Sequence, residues 1–218
     1  MDRKEIKELA KSKIKGNKWN IIWPVLVISV IESILTSIFG GRIEVDFTNL
    51  ESISLVNVSP RYYIGSIIVT LIVGLITAGY LKYILNFVRT GKFEFNDIID
   101  TVKAKWLNLL IAEILTTIIV ALCAMLFVIP GIIMAIAYTF VTYLVIDTDV
   151  SGSDSLKKSR EMMKGYKWNY FVFGLSFIGW IILIPFTLGL ILIWLYPYMT
   201  VANTIYYEKL KELDSKNK

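Results

Sequence analysis

Long apolar runs alternate with short basic segments along most of this chain. A helix of about 20 apolar residues can cross the hydrocarbon core of a bilayer. We expect six such helices, with five of them at about residues 19–39, 64–88, 106–127, 168–185 and 188–207. The remaining span follows the tight turn at Ile129-Pro130-Gly131 and ends near Ile146. Residues 40–63 form the longest polar loop between spans. Taken in order along the chain, the six runs pair into three helical hairpins.

Each hairpin is preceded by a segment whose apolar residues recur three and four positions apart. The clearest examples are Ile6, Leu9, Ala10 and Ile14 in residues 1–15, and Phe95, Ile98, Ile99 and Val102 before Trp106. Residues 155–164 are a short basic helix with a weaker apolar face. Such patterns are typical of amphipathic helices that lie in the lipid interface. We therefore expect one interfacial helix before each hairpin.

A six-residue motif marks the entrance of the first and third hairpins. Lys-Gly-Asn-Lys-Trp-Asn at residues 15–20 and Lys-Gly-Tyr-Lys-Trp-Asn at residues 164–169 differ only at the third position, and Lys-Ala-Lys-Trp-Leu-Asn at 103–108 is a degraded copy. The sequence therefore predicts a single all-α membrane domain over residues 1–218. We expect it to contain three repeats, at about 1–90, 91–149 and 150–208, arranged around a common axis and followed by a short soluble tail at 209–218.

Lysine and arginine are concentrated on one side of this predicted topology. They cluster before the first span, after the second and fourth spans and in the tail, whereas the tips after the third and fifth spans carry none. Basic loops remain in the cytoplasm during insertion. We expect both termini and all three interfacial helices to be cytoplasmic.

Composition supports a membrane protein and gives no sign of an enzyme. Of 218 residues, 56% are hydrophobic and 19% are charged, and the mean hydropathy is +0.62. There is no histidine, which removes the commonest general base and metal ligand. The one cysteine, Cys123, lies inside an apolar run. We expect no catalytic residues, no metal and no cofactor, and the net charge of +5 is explained by the basic segments without nucleic acid.

Three ionisable residues fall inside the predicted spans: Glu32, Lys82 and Glu113. A charge inside a membrane costs roughly 2.5 to 3.5 kcal/mol, so each should face protein or water. Glu32 belongs to a polar stripe, predicted to face inward, that also contains Ser29, Ser33, Thr36 and Ser37. This stripe indicates either a water-filled vestibule or hydrogen bonding between helices. Counting from the ends of their spans puts Lys82 and Glu113 at equal depth, so we expect them to form an ion pair.

Lysines beside tryptophans at the span entrances are candidate contacts for lipid head groups. The residues concerned are Lys15, Lys18, Trp19, Lys105, Trp106, Lys164, Lys167 and Trp168. The alternative is that they anchor the topology without binding a specific lipid. Membrane lipids, with anionic lipids as candidates, are the partners that we expect. Protein partners and the oligomeric state are left open.

Several segments together resemble a known family. They are Ile129-Pro130-Gly131-Ile132-Ile133, residues 158–165, Leu175-Ser176-Phe177-Ile178-Gly179-Trp180 and Tyr196-Pro197-Tyr198. The chain is similar over its length to bacterial integral membrane proteins grouped as domain of unknown function 975. The resemblance implies a multi-pass protein of the bacterial cytoplasmic membrane, distantly similar to the membrane domain of some glycerophosphodiester phosphodiesterases. It implies no activity and no catalytic residues.

Two functional hypotheses follow. The first is a non-enzymatic membrane protein that organises or senses the bilayer, or acts as an accessory subunit. The second is a small translocator of a lipid, peptide or ion through a cavity lined by Glu32. A continuous polar pocket that reaches Glu32 would favour translocation, and a dry packed core would favour the accessory role.

Overall fold

A computed structural model describes residues 2–39, 43–45, 56–58 and 60–216. Ten α-helices are described in these residues: α1 Arg3–Ile14, α2 Lys18–Phe39, α3 Pro60–Thr90, α4 Asn96–Leu126, α5 Val128–Ala137, α6 Val141–Asp147, α7 Gly152–Met162, α8 Lys167–Leu175, α9 Ile178–Ile182 and α10 Leu192–Lys216. A single 3-10 turn covers Pro185–Thr187. Strands β1 Ile43–Val45 and β2 Val56–Val58 pair as a small antiparallel ribbon, and the fold is otherwise helical. Most of the predicted 40–63 loop lies outside the described residues.

Five segments of the described chain are long and apolar enough to cross a membrane. They are Lys18–Phe39, Arg61–Thr90, Asn96–Leu126, Val128–Asp147 and Lys167–Thr187. They correspond to the first five predicted spans, and five such helices are compatible with a multi-pass membrane protein. The predicted sixth span, 188–207, falls mostly in α10, where tyrosines, threonines and Asn203 interrupt the apolar residues.

The first and third copies of the entrance motif make the same backbone turn. Gly16 and Gly165 adopt positive φ angles of 92° and 84°, a conformation that favours glycine and ends a helix. The second copy is one residue shorter before its tryptophan and has Ala104 instead of a glycine, and no turn forms there. The predicted interfacial helix before Trp106 is therefore not separate, because it continues directly into α4.

The predicted soluble tail is also helical. α10 continues without a break to Lys216, and Leu210 is fully buried. It packs against α1, whose Ile6 and Ala10 belong to the same apolar cluster, and Lys209 Nζ lies 2.6 Å from Glu5 Oε1. The tail prediction missed this contact because its spaced apolar residues are few and its charges many.

Helix α1 is fixed to other parts of the bundle by two lysines. Lys13 Nζ donates a hydrogen bond to the Val88 carbonyl near the end of α3, at 3.0 Å. Lys7 Nζ donates to the carbonyl and hydroxyl oxygens of Ser176, both at 3.2 Å, and lies 4.8 Å from the centre of the Phe177 ring. Burial, helped by the neighbouring charge of Lys11, lowers the pKa of Lys7. This helix is thus packed into the protein along one face.

The densest packing lies at one end of the bundle, where α3 and α6 terminate beside α10. We call this the charged end, because Arg89, Asp147 and Glu208 meet there. The apolar cluster next to it is rich in buried aromatic side chains: Tyr80, Tyr83, Phe87, Phe140, Tyr143, Phe173, Phe177, Tyr198, Tyr206 and Tyr207. Burying such large side chains gives this end most of the apolar contact area. The other half of the bundle is more open.

Candidate functional site: an acidic cleft

A cleft of about 420 Å³ lies between α2, α3, α4 and the α5–α6 segment. Its wall combines two carboxyl groups with several threonine hydroxyls: Glu32, Glu113, Thr70, Thr77, Thr116, Thr117 and Thr142. Gly74, which also lines the cleft, is 15 residues from Arg89 along α3, or about 22 Å at 1.5 Å per residue. The part of the cleft at Gly74 therefore lies away from the charged end, whereas Thr142 is five residues, or about 8 Å, from Asp147 along α6.

Glu113 enters the cleft because Gly74 leaves room for it. A Cβ atom added at Gly74 would collide with both carboxyl oxygens of Glu113. The Glu113 carboxyl thus lies directly against the α3 backbone, where any other residue would displace it. Within the described residues it makes no hydrogen bond or ion pair, which leaves its oxygens available to a ligand or to water.

Thr116 adds a second unsatisfied group, one helical turn from Glu113. Its Oγ1 atom is buried and has no hydrogen-bond partner in the described part of the chain. A buried hydroxyl without a partner costs about 1 to 3 kcal/mol, so such a group usually indicates water or a ligand in an adjoining cavity. The geometry of Glu113 and Thr116 suits a cation or a hydrogen-bond donor.

Glu32 connects this cleft with a neighbouring one. It lines both the first cavity and a second one of about 470 Å³ between α2, α3 and α10, and Val73 and Thr77 are also shared. Glu32 itself is exposed, so it stands at the open side of both cavities. A polar pocket that reaches Glu32 is therefore present.

Only part of the predicted polar stripe contributes to these cavities. Ser29 lines the second cavity, but its hydroxyl donates to the Val25 carbonyl at 3.0 Å. Ser33, Thr36 and Ser37 are exposed, so the prediction that the whole stripe faces inward is wrong. The reason is that α2 has its buried residues, Ile21 and Pro24, in its first two turns, and its last turns have little of the bundle beside them.

The expected ion pair between Lys82 and Glu113 is not formed among the described residues. Lys82 is eight residues from Gly74 along α3, about 12 Å away, whereas the Glu113 carboxyl contacts Gly74. The equal-depth argument failed because it assumed that the two apolar runs begin level with each other. In the structure Ile98 of α4 packs against Gly79 of α3. The alignment of α3 with α4 is therefore set by close contacts at the glycines of α3.

Tyrosines contribute to both cavities. Tyr138 lines the first cavity and Tyr196 lines the second. Tyr80 is fully buried, stacks on Tyr196 with ring centres 6.5 Å apart, and donates a hydrogen bond to the Ile21 carbonyl at 3.1 Å. These three tyrosines stand six or seven residues after Gly74, Gly131 and Gly189, a register visible in the sequence.

Sequence reasoning missed an ionic cluster that joins three helices at the charged end. Arg89 NH1 lies 2.6 Å from Asp147 Oδ1, and Arg89 NH2 lies 2.7 Å from Glu208 Oε1. Lys211 and the Tyr207 hydroxyl both bond Asp147 Oδ2, at 2.5 and 2.9 Å. Charged residues at span ends are usually interpreted as topology signals. One feature of the sequence did point to this cluster. Arg89 follows Tyr80 by nine residues, and Asp147 follows Tyr138 by the same interval, so the two charges occupy matching positions in their repeats.

The candidate head-group residues divide into two classes. Trp19, Trp106 and Trp168 are 75%, 51% and 74% exposed, as expected for side chains at a membrane interface. Lys15, Lys18 and Lys164 are also exposed. Lys105 differs, because its ammonium donates to the carbonyls of Val145 and Thr148 at 2.9 and 2.7 Å. It caps the end of α6, which is a structural role that the motif alone did not reveal.

Among the described residues no group of three or more Cys, Asp or Glu side chains could hold a metal ion. Comparison with curated proteins and with solved structures gave no match. A family model described as "protein of unknown function (DUF975)" matches residues 1–141 and 124–214, which together cover nearly the whole chain. The resemblance noted from the sequence is thus confirmed, and the chain belongs to the DUF975 family.

Proposed function

We propose that this protein is a small translocator of cationic solutes, and that the acidic cleft is the solute site. The observation that carries the proposal is the position of the Glu113 carboxyl, which lies unpaired against Gly74 inside a polar cavity. An unpaired carboxyl at membrane depth is costly unless it meets water or a cation. Inorganic cations and small protonated amines are the solutes that fit two carboxyls and a row of hydroxyls.

The orientation is part of the same proposal. Six spans, with α10 as the sixth, would place both termini and the charged end in the cytoplasm, in keeping with the lysine and arginine distribution. The cleft would then open towards the outside at Glu32 and be closed on the cytoplasmic side by Tyr80, Tyr138 and Tyr196. The ionic cluster of Arg89, Asp147 and Glu208 would hold the three helix ends together beneath them. Such an arrangement corresponds to an outward-open, inward-closed state.

Transport of charge across proteoliposomes tests this proposal. Purified protein is reconstituted, and charge displacement is recorded on solid-supported membranes after jumps in Na⁺, K⁺ or a panel of small primary amines. We expect a signal for at least one cation that is lost in Glu113→Gln and reduced in Glu32→Gln. Glu94→Gln is the matched control, because Glu94 is an exposed carboxylate outside both cavities. Signals equal to those of empty liposomes for every cation would overturn the proposal.

A second candidate is the accessory or bilayer-organising role. The dense aromatic core at the charged end favours it, because buried aromatic side chains fill that half of the described bundle. Under this hypothesis the cleft residues would be dispensable, and function would depend on the exposed tryptophans and basic helices. Association with a partner protein that survives Glu113→Gln, together with absent charge displacement, would support this candidate.

A further inference from the structure

A second surface feature lies between α5 and α8–α9, away from the acidic cleft. Two adjoining cavities of about 440 and 380 Å³ share Ile132, Ile136 and Phe171, and together form a groove on the outside of the bundle. Its walls are mostly aliphatic and aromatic. They also include Ile129, Ile133, Ala135, Leu175, Ile178 and Ile181, together with the hydroxyl-bearing Thr139 and Tyr170. The groove has the shape and chemistry of a site for a hydrocarbon chain.

One end of this groove carries a positive charge. Lys167 lines it beside Trp168, and the Trp168 ring packs on Phe171 with centres 5.4 Å apart. The Lys167 ammonium makes no ion pair or hydrogen bond within the described residues, and the exposed Lys164 is three positions earlier. Lysine and tryptophan together at the head of an apolar groove match the phosphate and glycerol region of a phospholipid.

Gly174 keeps the groove open. It lies on α8 in the wall of the groove, and a Cβ atom added there would meet no other atom within 4 Å. A larger side chain at this position would therefore project into the groove without displacing protein atoms.

We propose that this groove binds one anionic glycerophospholipid, with an acyl chain between α5 and α8 and its phosphate at Lys167. The lipid is the occupant favoured by charge complementarity, since Lys167 lines the groove and its ammonium has no partner among the described residues. Because none of the groove residues lines the acidic cleft, this site is independent of the proposed transport activity.

Native mass spectrometry of the purified full-length protein tests the site. The protein is delipidated in detergent and mixed with equal amounts of phosphatidylglycerol and phosphatidylcholine that carry identical acyl chains. We expect a single phosphatidylglycerol to be retained in preference to phosphatidylcholine. Gly174→Leu should reduce its retention by about tenfold or more. Gly179→Leu is the matched control, because Gly179 also has open space around it but does not line the groove, and it should retain the lipid.

A charge variant separates the head-group contribution from the groove. Lys167→Gln removes the charge and keeps a flexible polar side chain, so it should abolish the preference for phosphatidylglycerol while phosphatidylcholine binding changes little. This variant also decides the matter if Gly174→Leu does not fold. Equal retention by Gly174→Leu and Gly179→Leu, equal binding of both lipids by the unmodified protein, or a preference unchanged in Lys167→Gln would each overturn the proposal.

Discussion

Gly74 and Glu113 illustrate how one missing side chain creates a site. The carboxyl occupies the volume that a Cβ at position 74 would need. We predict that Gly74→Ala lowers the stability of the protein by about 1 to 3 kcal/mol, the usual cost of overpacking. Thermal unfolding in detergent measures it. Adding Glu113→Ala should restore most of the loss, because it removes the colliding group, and purely additive losses would show that the two residues are not in contact.

Asp147 supports a second prediction at the scale of single residues. Its side chain is 3% exposed and is bonded by Arg89, Lys211 and Tyr207, whereas Asp149 nearby is fully exposed. Asp147→Ala should destabilise the protein by about 3 to 5 kcal/mol, because it leaves Arg89 without its buried partner. The same unfolding assay should find Asp149→Ala within about 0.5 kcal/mol of the unmodified protein. Equal effects of the two substitutions would contradict the structural role of the cluster.

The sequence identified the charged residues of the bundle, but it did not predict which groups they contact. Glu32 and Glu113 were singled out as costly charges, and both line one cleft. Lys82 was expected to pair with Glu113, and this pair is not formed among the described residues. Lys105 was a candidate head-group contact, and its ammonium bonds the carbonyls of Val145 and Thr148. Which groups meet depends on helix crossing and on side-chain direction, and neither is encoded in the spacing of apolar residues along one helix.

At the scale of elements, the turn glycines explain where helices end. The positive φ of Gly165 costs any residue with a Cβ atom about 1 kcal/mol or more. We predict that Gly165→Ala lowers the unfolding temperature, whereas Gly179→Ala, which lies in α9 with free space around it, leaves it unchanged or raises it slightly. A neutral Gly165→Ala would indicate that the turn between α7 and α8 does not need its left-handed residue.

The same comparison shows what the apolar pattern could predict for whole elements. The first five spans and two separate amphipathic helices, α1 and α7, were expected at the places where they occur. The second amphipathic segment merges with α4 because Ala104 offers no helix stop, and α10 extends through the tail because α1 covers Leu210. The first difference was visible in the sequence, but the second depends on a contact between the two ends of the chain.

At the scale of the whole molecule, the proposed topology makes a prediction for labelling from the two sides. Single cysteines are introduced in a Cys123→Ser background and treated with an impermeant maleimide on intact cells. We expect reaction at residues 44–57 and protection at the exposed positions of 94–104, 154–164 and 210–216, which should react only after permeabilisation. Reaction of any two of these three segments on intact cells would contradict the proposed orientation.

The central claim is that the acidic cleft is an aqueous cation site open to the outside. The most direct test is the rate at which a membrane-impermeant, positively charged methanethiosulfonate modifies Thr117→Cys in the Cys123→Ser protein on intact cells, because Thr117 is exposed and lines the cleft. Ile118→Cys is the control, because Ile118 is 49% exposed on the same helix but does not line the cleft.

We expect Thr117→Cys to react and Ile118→Cys to remain unmodified, since only the cleft would hold water at this depth. Glu113→Gln should slow the reaction at Thr117→Cys, because it removes the negative charge that attracts the reagent. An unreactive Thr117→Cys, or equal reaction at both positions, would contradict an outward-open acidic cleft.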